Sequence, residues 1–132
     1  MLHLSSCLFG TTVLHAYYIQ NTLYHHIFLL LTISSILFHT THCEITRIID
    51  KLLAHFSFLL ILMDTPVVLS QHVEWLLLFP FTAACFWFGQ SMFPDRKNDL
   101  HLCLHLISVI GVHVYLYVLY ARAYDQSAMG MS

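Results

Sequence analysis

Five apolar runs, each near the length of a membrane crossing, use up almost all of this 132-residue sequence. A helix needs about 20 predominantly apolar residues to traverse the hydrocarbon core. The candidates are residues 2–19, diluted by Ser5, Ser6, Gly10, Thr11 and Thr12, and residues 22–42, beyond the polar break Gln20–Asn21. A third, residues 49–69, follows the charged patch Glu44, Arg47, Asp50 and Lys51. A fourth, residues 73–89, is shorter and holds Pro80, which predicts a kink, and a fifth, residues 100–120, follows the loop-like PDRKND. The runs are continuous rather than alternating, and a backbone in lipid must satisfy its own hydrogen bonds. The pattern therefore predicts an all-α integral membrane helix bundle of about five transmembrane helices, a single transmembrane domain over residues 1–132.

Charge agrees. Only 9% of residues are charged, against about 25% in soluble domains, too few to cover a surface in water. Five Lys+Arg and a net charge of -2 cannot build a phosphate-binding stripe, which excludes a nucleic-acid partner. Arg47, Lys51, Arg96 and Lys97 fall on one side of the five-helix scheme and Arg122 on the other. The positive-inside rule then places the first side, and the N-terminus, in the cytoplasm. The first run lacks a basic leading segment and a small-residue cleavage site, so it is expected to be retained. Cys7, Cys43, Cys85 and Cys103 form no CxxC pair and read as small hydrophobes.

The unusual number is eleven histidines. Positions i and i+4 share a helix face, which pairs Ser35 with His39 and His101 with His105. In serpentine order the end of the second run, the start of the third and the start of the fifth lie on the same side. His39, Asp50, His101 and His105 can thus reach one depth. Three imidazoles suit Zn2+ in a catalytic site with an open fourth position. Asp50 could then take a proton from a water there, and Ser35 could donate to an oxygen turning negative as a carbonyl is attacked. Spacing alone leaves the matter open, because HxxxH lacks the glutamate of HExxH. Asp50 reads equally as a solvated residue near a helix N-terminus.

The segment Ser35-Ile-Leu-Phe38-His39-Thr-Thr41, followed by Asp50 in the context Ile48-Ile49-Asp50, resembles the second and third helices of the alkaline ceramidases. These belong to a superfamily that also holds adiponectin-receptor-like and Per1-like proteins. His101-Leu-Cys-Leu-His105, then Gly111 and an aromatic run ending at Arg122, resembles that superfamily's last helix. The resemblance implies that His39, His101 and His105 are the zinc ligands, that Asp50 orients the metal-bound water and that Ser35 assists at the oxyanion. It implies a zinc-dependent integral-membrane hydrolase cleaving an amide or ester bond in a membrane lipid, ceramidase-like, in the ER or Golgi of a eukaryote. Superfamily members have seven spans. This chain has room for five, so a shortened form is expected, with a homo-oligomer or a helix-supplying partner completing it.

Two alternatives stand beside this. One is a non-catalytic zinc-binding membrane protein, receptor-like or GPI-remodelling-like. The other is a haem-binding bundle, for which His25 and His39 share a face of one helix, whereas His101 and His113 on the fifth run lie about 120° apart and do not complete the pattern. Of the other polar residues, His42 is expected at the interface, Thr41 bonding back to its own helix and His55 bonding another helix. Asp64 is expected at the far surface, Tyr115, Tyr117, Tyr120 and Tyr124 in packing and an aromatic belt, and Glu74 and Trp75 as an interfacial anchor. His15 and His113 show no common depth, and the tail from Tyr124 is expected to fray.

Overall fold

The apolar runs fold as helices whose ends are set by polar side chains. The computed structural model describes residues 2–68, 84, 87–89 and 91–129. Its elements are α1 (Leu2–Tyr18), α2 (Thr22–Thr41), α3 (Glu44–Val68), a 3-10 turn (Pro94–Arg96) and α4 (Lys97–Met129). No strand occurs among the described residues.

The α1–α2 corner shows how a short polar break reverses the chain. Gln20 adopts a left-handed backbone (φ 58°). The Gln20 N–H then donates to the Tyr17 carbonyl at 2.9 Å and the Asn21 N–H to the Ala16 carbonyl at 3.0 Å, the paired bonds of a Schellman ending. Asn21 in turn caps α2, its side chain accepting from the Tyr24 N–H at 3.1 Å. At the other end of α2, His42 takes the left-handed cap position (φ 50°). Only His42 and Cys43 separate α2 from α3.

The helices adjoin in the order α3–α2–α1–α4. Two of the polar residues that dilute α1, Ser6 and Thr12, are buried against its neighbours. Ser6, Thr12 and Ala16 are fully buried and Phe9 and Val13 nearly so, one stripe at helical spacing, whereas Thr11 is exposed. Small side chains let helix backbones approach closely, and in lipid such packing replaces the hydrophobic drive that water would supply. Thr12 remains compatible with burial because its hydroxyl donates to its own helix, at the Phe9 carbonyl, 2.7 Å away. Phe28, Ala16 and Leu116 centre the main core, and Phe9, Leu31 and Val109 form a smaller cluster beside it.

Among the described residues, two helices are long and apolar enough to cross a membrane: α2, and residues Asn98–Tyr124 within α4. The expected all-α architecture is thus present, while five crossings are not reached among the described residues. The 17-residue α1 is short for a span. Helix α3 begins five residues before the expected start, drawing Glu44, Arg47, Asp50 and Lys51 into its opening turns. Glu44 sits there where a helix dipole favours an acid, paired with Arg47 one turn on. The expected fourth span, with Pro80, Glu74 and Trp75, lies almost wholly outside the described residues. PDRKND is only partly a loop, since Pro94 opens the 3-10 turn and Lys97 starts α4. The tail does not fray at Tyr124, because α4 continues to Met129.

Candidate metal centre

Helix α2 delivers one imidazole and α4 delivers two. His39 lies in the last turn of α2 and is almost completely buried. His101 and His105, one turn apart near the start of α4, are half-buried and buried respectively. One nitrogen from each ring lies within 4.8 Å of the other two. The ring centroids are 5.3 Å apart for His39–His101, 5.7 Å for His39–His105 and 4.6 Å for His101–His105. Spacing of four residues brings two rings to one face. Only the packing of α2 and α4 around α1 could bring the third.

The donor set fits a metal ion. At the usual Zn–N length of about 2.0–2.1 Å, nitrogens around a tetrahedral ion lie roughly 3.3 Å apart. The Nε2 atoms of His101 and His105 face each other at 2.9 Å, and the longest separation permitted in the trio is 4.8 Å. Adjustments of well under 2 Å, available from imidazole rotation, would equalise the distances. The trio could therefore hold a metal ion.

His42, expected at the interface, is exposed and outside the cluster, as are Cys43 and Glu44. Asp50 is also outside it. Its Oδ1 accepts a hydrogen bond from the Ser34 hydroxyl at 3.1 Å. Ser34 and His39 are five residues apart, about 140° around α2, so the Asp50 anchor and the metal-facing ring lie on different flanks of that helix. Ser35 shares the face of His39, yet its hydroxyl pairs with that of Ser6 on α1 at 2.9 Å. Helix α1 further contributes Phe9, whose ring stands edge-on to His105 at 5.4 Å. Ser34 and Ser6 were not legible as site residues. Serines next to a candidate residue, or in a diluted apolar run, carry no distinguishing pattern.

Sequence spacing also missed two other polar clusters. Tyr24 and Tyr115 both donate to Asp64 Oδ2, at 2.5 and 3.1 Å, and their hydroxyl oxygens are 2.8 Å apart. Asp64, half-buried near the far end of α3, is thus bonded to two other helices, and Tyr115 is more than packing. A signal existed: Asp64 follows Asp50 by 14 residues, nearly four turns and close to the same face. His15 and His113, for which no shared depth was expected, meet with Nδ1 atoms 2.8 Å apart and rings stacked at 5.0 Å. The Thr11 hydroxyl donates to the Leu8 carbonyl at 2.6 Å. It must therefore accept from His113 Nε2, 2.9 Å away, which makes the neutral His113 an acceptor at Nδ1 and His15 its donor.

This second pair bears on the haem alternative, since His113 is engaged by His15 and Thr11, while His25 faces the Val13 carbonyl at 3.3 Å. His55 bonds the Lys51 carbonyl of its own helix at 2.6 Å rather than another helix. Thr41 bonds back to the Leu37 carbonyl at 2.7 Å, as expected. Cys7, Cys43 and Cys103 are free thiols.

Comparison of the chain with family models, with curated proteins and with solved structures gives no match in any of the three. The class is accordingly defined by fold and site alone: a helical bundle with membrane-length helices and a three-histidine cluster suited to a metal.

Proposed function

We propose that this chain is a zinc-dependent integral-membrane hydrolase acting on an amide or ester bond of a membrane lipid, in the manner of the ceramidase-like superfamily that its motifs resemble. The observation that carries the reading is the convergence of His39 with His101 and His105, which are remote in sequence, to within 4.8 Å. His39, His101 and His105 hold the ion through neutral imidazole nitrogens. Bound zinc supplies Lewis acidity toward a carbonyl and makes a water acidic enough to be deprotonated near neutral pH. Asp50, whose Oδ1 accepts from Ser34, would take the proton of such a water. Ser35 would turn its hydroxyl from Ser6 toward the developing oxyanion. Phe9 and Ser6 close the α1 side and keep bulk water out. An ER or Golgi location, and a second copy or a partner supplying further helices, belong to the same proposal.

A second reading rests on a specific observation. Ser35 is committed to Ser6 and Asp50 to Ser34, so neither proposed catalytic group is bonded into the histidine cluster. A non-catalytic, receptor-like zinc protein has no use for either group at the metal, and fits that state directly.

One experiment separates the readings. Zinc is measured by elemental analysis of detergent-purified protein, beside a hydrolysis screen over ceramides and phospholipids. The enzyme reading expects one zinc per chain, lost in His39→Ala, His101→Ala and His105→Ala, and an Asp50→Asn variant that keeps the metal and loses turnover. Full zinc content in all three histidine variants would refute the ligand assignment. Zinc without hydrolysis of any lipid would select the second reading.

A further inference from the structure

The bundle has two polar layers. The histidine cluster occupies one end of α2 and the start of α4. The Tyr24–Asp64–Tyr115 triangle occupies the other end of α2, the far part of α3 and the middle of α4. From Tyr24 to His39 is 15 residues, about 22 Å of helix, and from His101 to Tyr115 is 14 residues, about 21 Å. The layers therefore sit roughly four turns apart on both helices.

Helices α2 and α4 are not neighbours in the packing order, since each adjoins α1 and their own backbones scarcely approach. Apolar contacts across such a gap resist separation but hold axial register weakly, because one ridge of aliphatic side chains can exchange for the next. A hydrogen bond loses its strength within a few tenths of an ångström and about 60° of misalignment. The triangle closes two such bonds onto one carboxylate oxygen, drawing one residue each from α2, α3 and α4. Both phenols donate to Asp64 Oδ2, and their hydroxyl oxygens approach to 2.8 Å because they share that acceptor. Tyr24 is fully buried and Tyr115 nearly so, which shields the donors from water, while Asp64 is half-buried.

We infer that Tyr24, Asp64 and Tyr115 form a positioning clamp that fixes α2 against α4 and thereby the placement of His39 relative to His101 and His105. The inference rests on the metal-binding reading of the histidine cluster. Leverage makes the coupling strong. A tilt of about 3° at the clamp, carried along a helix of about 22 Å, moves the far end by roughly 1 Å. Metal–ligand distances tolerate about 0.2 Å.

The test uses the full chain in detergent micelles, with Co2+ as a spectroscopic probe of the histidine cluster. Tyr24→Phe and Tyr115→Phe remove only hydroxyls. The double variant is expected to bind Co2+ about tenfold more weakly, with a weakened or shifted visible d–d band and unchanged helix content by circular dichroism. Val13→Ala, which thins the core that also packs Tyr24 and Tyr115 but removes no hydroxyl of the triangle, is expected to lower thermal stability and leave Co2+ affinity within about twofold. Should the double variant lose helix content, the single Tyr115→Phe variant carries the test, with about threefold weaker binding expected. Affinity and spectrum unchanged in the hydroxyl variants, while His39→Ala abolishes binding, would overturn the clamp alone. No Co2+ binding by the unaltered protein would overturn the clamp and the metal reading together.

Discussion

Removing the Ser6 hydroxyl tests whether Ser35 is held for structure or kept for chemistry. The two hydroxyl oxygens are 2.9 Å apart between α1 and α2, and the residues are 0% and 2% exposed. An interhelical hydrogen bond in a membrane bundle contributes about 0.6 kcal/mol on average and about 1.7 at most. Burial places this pair above the average, so Ser6→Ala should cost about 1 kcal/mol. Ser35→Ala should cost about the same. The abandoned Ser35 hydroxyl has a fallback at the carbonyl one turn back in its own helix, which keeps the penalty from rising further. Because both substitutions remove the same bond, the double variant should also cost about 1 kcal/mol rather than the sum of about 2. The assay is reversible unfolding in mixed detergent micelles, followed by circular dichroism, for all four proteins of the cycle. Additive effects, with a coupling near zero, would refute the claim that the pair is a real interhelical bond. The same variants report on function. If Ser35 assists at the oxyanion, Ser6→Ala frees its hydroxyl and should leave turnover equal or higher, whereas Ser35→Ala should lower it. Equal losses in both would show that the pair acts only by holding α1 to α2.

Two further outcomes are expected. Gln20→Gly should raise stability by up to about 1 kcal/mol, because the left-handed cap position penalises a β-carbon and glycine relieves it, with part of the gain returned as chain entropy. The same micellar unfolding assay reads it, and a loss of stability would contradict the cap geometry. Ser34→Ala should leave zinc content intact and reduce lipid turnover by about tenfold, since it releases Asp50 Oδ1 without touching a ligand. Loss of zinc instead would place Ser34 in support of the metal.

The helical character of the chain and two of the three histidines were legible for the same reason: both are local. Continuous apolar runs dictate helices, and His101 with His105 are brought to one face by the helix repeat alone. His39 was legible through its motif and its side of the membrane scheme. Its ring contacts were not, because they depend on where α2 sits around α1. The Ser6–Ser35 and Ser34–Asp50 bonds, the Asp64 triangle and the His15–His113 pair join residues on separate helices, and no spacing rule reaches across such a gap. Asp64 is the instructive case. Near the end of an apolar run, a carboxylate is expected to reach for water, yet here two phenols from other helices take water's place.

The sequence by itself determined that this chain is helical, too apolar to cover itself in water, and supplied with imidazoles at both ends of its second apolar run and at the start of its fifth. Those properties follow from side-chain chemistry and helix periodicity, which need no partner. The tertiary structure decided which polar groups meet. Helix order and rotation set the neighbours, so three histidines converge, Asp50 goes to Ser34, and Asp64 becomes the tie between three helices. A polar side chain within a bundle must find a partner, and the partner it finds is fixed by packing rather than by position in the chain.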